Sequence, residues 1–414
     1  MSLEKIRKSL RPSIEEEKAA LAYFEEIRLF IKEQYGLSSL LVGSVGKGTF
    51  VKDDKDLDIF VLFPPETPRE ILKEKGLKIG KSFFESRNMP YNQAYAEHPY
   101  ISGIVDGYDI EIVPCYEVDD PQNMLSSVDR TPFHLSYVLE HLKDAQKDEV
   151  RLLKRFLKAQ KLYGADARTQ GFSGYLCELL IIAHDSFENL VANASLWGPQ
   201  TRIKLADSGA AFKDPLVCID PVDATRNAAS AVSVTTYARF IEACRAYGRT
   251  REDSMFYLPK RGYERVKGGR LYVITFNTKV IEDTFYAQCR KFVDTLHKEA
   301  ERQGFTFYRC GMFKRGFLID VETATLPHME KHVGPPVFSA ENAARFREHH
   351  PHCFVEHTRL VALRERKYQD VTDLIRTLLR EKTGMGIHLK KAQTSLYLDT
   401  DAEKVLQAHV IYVI

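Results

Sequence analysis

At 414 residues the chain is longer than one ordinary hydrophobic core supports, and roughly two to four domains are expected. Hydrophobic residues at 44% and charged residues at 28% sit near globular averages and exclude a disordered or fibrous chain. A net charge of +2, from 59 basic and 57 acidic residues, excludes a global field for a polyanion, so a nucleic-acid partner must be met by local basic clusters.

Two such clusters stand out, Arg151 to Lys161 and Arg359 to Lys367, each read either as an RNA contact or as a solvated helix face. The N-terminus lacks the apolar core of a signal peptide, and no apolar run nears the roughly 20 residues of a membrane span. A cytoplasmic protein with no membrane partner is the expectation. The seven cysteines form no CxxC pair, and Cys177 and Cys244 have apolar neighbours, so buried thiols are expected. The cluster HHPHC, His349 to Cys353 with His357 beyond it, departs from paired zinc spacings and reads as a polar loop.

Ser13 to Tyr35 carries apolar residues at helical spacing and stops at Gly36, which predicts a leading helix. SSLLVGSVGKGTF predicts a short strand running into a Gly-containing turn, Leu57 to Phe63 a second strand, and Tyr108 to Tyr116 a third. From Thr131 to Phe187 the rhythm is helical; it fades between Asn189 and Pro221 into loops and a short strand, and returns from Asp223 to Gly248. Strand LYVITF, helix Val280 to Gln303, strand FTFYRC and strand FLIDVET then follow, an order that suggests a ferredoxin-like or RRM-like sandwich. KRGFLIDVE lacks the further aromatics that stack bases in an RRM. HVGPPVFS is expected to be a turn-rich junction leading to an amphipathic C-terminal region.

The chemistry-bearing residues are Gly43 and Ser44, then Asp56 and Asp58, then Asp109 and Glu111. In a strand, residues i and i+2 point to one face, so Asp56 and Asp58 present two carboxylates side by side, which repel unless a cation lies between them. Hard oxygen ligands at this spacing suit Mg²⁺, which completes its shell with water and substrate phosphates. A third carboxylate from the neighbouring strand would let two metals share the site. The Gly-Ser turn lets backbone amides and a hydroxyl approach phosphate oxygens, and Lys47 adds a positive charge. The competing reading is a surface turn before a solvated acidic strand end.

GSVGKGTF followed by DLDIFVLFP resembles the GS and DxD signature of the DNA polymerase β-type nucleotidyltransferase superfamily. Within it, IEIVPCY, SVDRTPFH, RLLKRFLK, GFSGYLCELLI, IDPVDATRN and EKHVGPPV resemble the archaeal-type (class I) CCA-adding enzymes. The resemblance implies an α+β protein with a polymerase β-like palm (1–129), a helical central domain (130–257), an RRM-like, ferredoxin-like body (258–327) and a C-terminal tail (328–414).

It further implies template-independent addition of CCA to the tRNA 3′ end from CTP and ATP, with Mg²⁺ as cofactor, the acceptor arm as partner and a homodimer as the assembly. Asp56, Asp58 and Glu111 match the family's metal-binding carboxylates; Asp often fills the third place, and Asp109 remains a same-face alternative. Gly43, Ser44, Lys47, Lys154 and Tyr163 match positions that hold the triphosphate, Thr131 and His134 lie near the nucleotide, and Arg226 matches a residue that helps recognise the base, with Arg130 a weaker match. Read without the family, Lys154 is as well a solvated helix residue, Tyr163 and His134 packing residues, and Arg226 the ion-pair partner of Asp220 or Asp223. The rival functions are a poly(A) polymerase or other terminal nucleotidyltransferase, and a catalytically inactive RNA-binding relative.

Overall fold

The computed structural model describes all residues except 1, 2, 53, 96, 259–262, 264, 408, 410 and 414. The chain divides into two compact units, Met1–Pro259 and Lys260–Ile414. The first opens with helices α1 (Leu3–Leu10) and α2 (Ile14–Tyr35). Ser13 starts α2 with a capping box, reciprocal hydrogen bonds with Glu16; the helix stops at Gly36, as the sequence predicts, with the glycine in the left-handed conformation.

Strand β1 (Ser38–Leu41), the one-turn helix α3 (Gly43–Gly46), β2 (Asp56–Phe63), α4 (Arg69–Ser86), β3 (Tyr91–Tyr95), β4 (Pro99–Val105) and β5 (Tyr108–Tyr116) then build a sheet of order β1-β2-β5-β4-β3. Within this sheet β2 and β5 pair in parallel and the other neighbours antiparallel. Leu57, Ile59 and Val61 of β2 and Ile110 and Ile112 of β5 are wholly buried on one face, under Ile27 and Ile31 of α2 and Ile79, Phe83 and Phe84 of α4. The other face buries Phe60, Val113 and Cys115 only beyond the first turns of these strands, under Leu135, and leaves the strand beginnings open. The stretch between Phe63 and Tyr108, for which no element is predicted above, holds α4, β3 and β4, and α4 buries Leu72, Ile79, Phe83 and Phe84 at helical spacing.

Asp129 directs the chain off the sheet. Its buried carboxylate accepts hydrogen bonds from the backbone N–H groups of Tyr116 (2.9 Å), Leu125 (3.0 Å) and Ser126 (2.6 Å), and thereby fixes where α5 (Arg130–His141) begins. Helices α6 (Asp144–Ala159), α7 (Gly174–His184), α8 (Phe187–Ala194) and α9 (Val234–Thr250), with the short parallel pair β6 (Thr201–Ile203) and β7 (Leu216–Cys218), enclose a second core. Phe156, Phe187, Tyr247 and Phe256 meet there with ring centroids 5.4–5.9 Å apart; truncating such a buried ring typically costs about 3–5 kcal/mol. Helix α1, inside the span 1–129, buries Ile6 and Leu10 in this helical core and not in the palm.

The second unit contains β8 (Arg270–Asn277), α10 (Glu282–Gln303), β9 (Phe307–Phe313), β10 (Gly316–Val321), β11 (Met329–Pro336), α11 (Ala340–His349), β12 (Phe354–Glu356), β13 (Arg359–Glu365), α12 (Val371–Glu381), β14 (Gln393–Leu398), α13 (Asp399–Leu406) and β15 (Tyr412–Val413). The antiparallel sheet order β14-β8-β10-β9-β15, with α10 and α12 as crossovers, is a ferredoxin-like β-α-β-β-α-β arrangement. Its fourth strand, β14, comes from the span 328–414, because β8 without it would expose a row of unpaired backbone groups. HVGPPVFS, expected as a junction, lies largely in β11, which pairs with β13 in a separate three-stranded sheet. Every residue of β10 is buried, so the centre of the main sheet presents no open face for stacking bases. All seven cysteines are free and six are buried. Among the described residues no helix is long and apolar enough to cross a membrane.

Candidate active site

Asp56 and Asp58 alternate with the buried Leu57 and Ile59, so both carboxylates project from the face that α2 and α4 leave free. The parallel register sets Asp56 beside Asp109 and Asp58 beside Glu111, which puts four carboxylates on two successive same-face rungs. Asp54 joins from the preceding loop, 3.3 Å from Lys158 Nζ.

The titration of these groups records their crowding. Burial, then the charges of Asp54, Asp58 and Asp109, pushes Asp56 up to about 6. Burial, then Asp58, pushes Glu111 up to about 7, against a 3.2 Å hydrogen bond donated by the Tyr100 hydroxyl. Burial raises Asp58 also, and Lys47 opposes it.

Among the described residues no group of three His, Cys, Asp or Glu side chains is arranged to hold a metal ion by itself. The carboxylates therefore form an open, repelling set and not a closed cage. This donor chemistry fits a hard divalent cation, which takes few protein carboxylates and completes its shell with water and substrate phosphates.

The raised values carry a stability prediction with a definite sign. Glu111 in the metal-free native state holds its proton up to about pH 7, whereas the unfolded chain releases it near the ordinary 4.5, so the native state binds more protons across that window. Stability from this group is thus present at low pH and lost as pH rises toward about 7. In chelator, the melting temperature of the wild type should fall relative to Glu111→Gln between about pH 5 and about pH 8. Parallel melting curves for the two proteins would remove the electrostatic account of the cluster.

The loop between α3 and β2 and the helices α6 and α7 supply a cationic wall. Lys47 Nζ lies 2.8 Å from Glu178 Oε2 and 5.1 Å from the centroid of the Tyr175 ring. Lys154 Nζ donates to the Thr49 carbonyl at 3.1 Å and lies 3.9 Å from Glu178 Oε1. The reading of Arg151 to Lys161 as a solvated face fails at its centre: Lys154 is 1% exposed and Arg151 6%, and Arg151 donates to the carbonyls of Gly48 and Phe50 at 2.7 and 2.8 Å. These two residues point inward because the loop carbonyls need donors.

Gly43, Ser44, Lys47, Asp56, Asp58, Glu111, Lys154 and Tyr163 all line one cleft of about 380 Å³, together with Asp54, Asp109, Lys158, Gly174, Tyr175 and Glu178. Thr131, His134 and Arg226 do not line it. Thr131 sits in the first turn of α5. His134 and Arg226 meet at the buried Asp220, His134 Nε2 2.9 Å and Arg226 Nη1 2.6 Å from its Oδ2, while the Tyr175 hydroxyl donates to Oδ1 at 3.0 Å. Burial would raise Asp220, but His134 first, then the Val222 N–H and Arg226, outweigh it and hold the carboxyl down at about 2. His134 stacks on Tyr175 with centroids 3.7 Å apart, so Tyr175 connects this network to the cleft. Arg130 pairs with Asp223 at 3.0 Å.

Sequence reasoning missed Asp54, Lys158, Tyr175 and Glu178. The signal for Glu178 was present: it is the one acidic residue in the otherwise apolar helix GYLCELLIIAH.

Residues 24–141 match the family model described as a nucleotidyltransferase domain, the class that the sheet and its open carboxylate set define. Residues 148–257 match the second domain of tRNA nucleotidyltransferase, and residues 267–398 the C-terminal domain of CCA-adding enzyme. A CCA-adding enzyme of Methanoregula boonei is 36% identical over 92% of this chain and 87% of its own. Those of Methanothermobacter thermautotrophicus and Sulfurisphaera tokodaii are 36% identical over 87% and 84%, and 35% identical over 94% and 94%, of this chain and theirs. The chain belongs to the CCA-adding enzyme family.

Proposed function

We infer that the cleft is where this chain performs its family's reaction: it adds CCA to the 3′ end of tRNA, transferring CMP twice and then AMP from CTP and ATP. The observation that carries the reading is the placing of Asp56, Asp58 and Glu111 opposite Lys47 and Lys154 in a single cleft. As a nucleotidyltransferase the chain uses divalent metal, and Mg²⁺ is the proposed ion, held by Asp56, Asp58 and Glu111 with Asp109 beside them. When bound, the metal lowers the pKa of the attacking 3′ hydroxyl and neutralises charge on the triphosphate and the leaving pyrophosphate.

The chain's own residues do the positioning. Lys47 and Lys154 place two ammonium groups against the polyphosphate, and the Gly43-Ser44 turn brings backbone and a hydroxyl close to it. Tyr163 and Tyr175 wall the cleft on the helical side. The acceptor arm is the proposed RNA partner, met through A-form geometry and 2′-hydroxyls without sequence readout. The nature of this substrate is the ground for proposing a cytoplasmic setting, and a homodimer is the proposed assembly, measurable by light scattering. Incorporation of labelled CTP into tRNA with Mg²⁺, and its absence in chelator, is the expected result; incorporation indifferent to chelator would reject the metal assignment.

Arg226 is the proposed base-recognition residue, although it is ion-paired to Asp220 and outside the cleft lining. In Arg226→Ala, Asp220 keeps His134 and Tyr175, so the network survives. Loss of a charge-assisted hydrogen bond of about 1.5–3 kcal/mol should lower correct incorporation about ten- to a hundredfold and relax discrimination against UTP and GTP. Unchanged discrimination with a lowered melting temperature would make Arg226 purely structural.

A further inference from the structure

Helix α7 turns three different residues toward the cleft: Gly174, Tyr175 and Glu178, while Leu176, Cys177, Leu179, Leu180 and Ile181 go into the helical core. Glu178 is 1% exposed. Its two oxygens are divided among three partners from two other segments: Oε2 accepts from Lys47 at 2.8 Å, Oε1 accepts from the Thr49 hydroxyl at 2.6 Å, and Oε1 also faces Lys154 at 3.9 Å. Among the described residues no other carboxylate lies within ion-pair distance of either lysine. Thr49 closes the group, because its carbonyl and hydroxyl lie 3.1 and 3.3 Å from Lys154 Nζ.

One buried carboxylate against two buried ammonium groups leaves a local surplus of positive charge, opposed across the cleft by Asp54 and Asp58. A surplus of this kind destabilises a fold and persists where a site uses it. Here the surplus borders the cleft directly. A methyl group at Gly174 would lie 3.8 Å from Lys154 Nζ and 3.2 Å from the Tyr163 hydroxyl, so the glycine keeps the approach to that ammonium group free. Without Glu178 the two lysines would repel each other in a poorly solvated wall and relax outward.

We propose that Glu178 is the positioning residue of the triphosphate cradle, holding Lys47 and Lys154 side by side so that both meet the phosphates of CTP and ATP. The proposal rests on the reading that these lysines bind the triphosphate. It also explains why an acidic side chain lines a site for a polyanion: both oxygens of Glu178 are taken up by Lys47, Thr49 and Lys154, and the phosphates meet the lysines beside it. Burial by itself would raise the Glu178 carboxyl, yet Lys47 and Lys154 hold it below the ordinary carboxylate range, so it is an anion in this arrangement.

The test compares Glu178→Gln, Glu178→Asp and Lys154→Met in steady-state addition to tRNA, with separate KM values for nucleotide and for tRNA. Glu178→Gln keeps the shape and removes the charge, and should raise KM for CTP and ATP about ten- to a hundredfold while tRNA KM stays within about threefold. Glu178→Asp restores the charge on a shorter arm and should fall between it and the wild type. If the Gln variant does not fold, the Asp variant decides by the same split. An unchanged nucleotide KM in the Glu178 variants, with a raised one in Lys154→Met, would overturn the proposal alone. An unchanged nucleotide KM in Lys154→Met would overturn the underlying reading and the proposal with it.

Discussion

Asp58→Ala is expected to abolish CMP and AMP addition alike while leaving tRNA binding largely intact. Asp58 sits at the centre of the carboxylate set, between Asp56 on its own strand and Glu111 on the next, and it is the member of the set that Lys47 most directly steadies. On the proposed reading both nucleotides are transferred at this one site, so losing a ligand there would remove stabilisation from every step. Removal of one preorganised electrostatic contact costs on the order of a hundred- to a thousandfold, and a metal ligand should cost at least that. The substitution should not cost stability: Asp58 is held above the ordinary carboxylate range by burial, so truncating it relieves repulsion, and the metal-free protein should melt no lower than the wild type. Single-turnover addition of CMP and AMP, beside a gel-shift titration with tRNA, checks both halves. CMP addition near the wild-type rate would remove Asp58 from the metal site.

Gly43→Ala should produce a comparable loss by a different physical route. Gly43 has φ +64°, in the left-handed region, where a side chain costs roughly 1–2 kcal/mol. A Cβ there would also overlap the Asp58 carboxylate. The turn cannot simply step aside, because the Val42 N–H donates to the Asp58 carbonyl at 2.9 Å and the Thr49 N–H to the Ser44 carbonyl at 2.8 Å, tying it to β2 and to the Lys47 loop. Either the turn or the Asp58 carboxylate must shift, and a displacement of about 1 Å at reacting groups can cost about a hundredfold. The expected result is a loss of kcat/KM of that order with a melting temperature lowered by only a few degrees, since the two cores are untouched. Near wild-type activity would show that the turn and Asp58 need not be this close.

Much of this site is legible in the sequence because strand periodicity is rigid. Given two strands bearing Asp56, Asp58, Asp109 and Glu111 at alternate positions, the shared face follows from the pleat, and the structure places all four in one cleft. The glycine-ended helix α2 and the first strands of the second unit are legible for the same reason, their local signals agreeing with their final environment. Long-range pairing is where legibility ends. Nothing local in RLLKRFLK says that Arg151 and Lys154 turn inward, because the carbonyls of Gly48, Thr49 and Phe50 that receive them are about a hundred residues away in sequence. The same holds for β14, whose place beside β8 is set by an unpaired edge 116 residues back from Gln393 to its partner Asn277. Arg226 illustrates the opposite case: both of its readings were open, and its contact with Asp220 is compatible with either, so the answer lies in nucleotide discrimination.

This cleft is expected to complete tRNA ends and to do no other terminal transfer. The direct measurement is incubation of tRNA lacking its CCA end with Mg²⁺ and CTP, ATP, UTP and GTP, alone and combined, followed by sequencing of the 3′ ends. Two C residues with CTP alone, CCA with CTP and ATP, and no further growth with all four nucleotides are the predicted products. A homopolymer tail of A or U, or no extension at all under these conditions, would contradict the account.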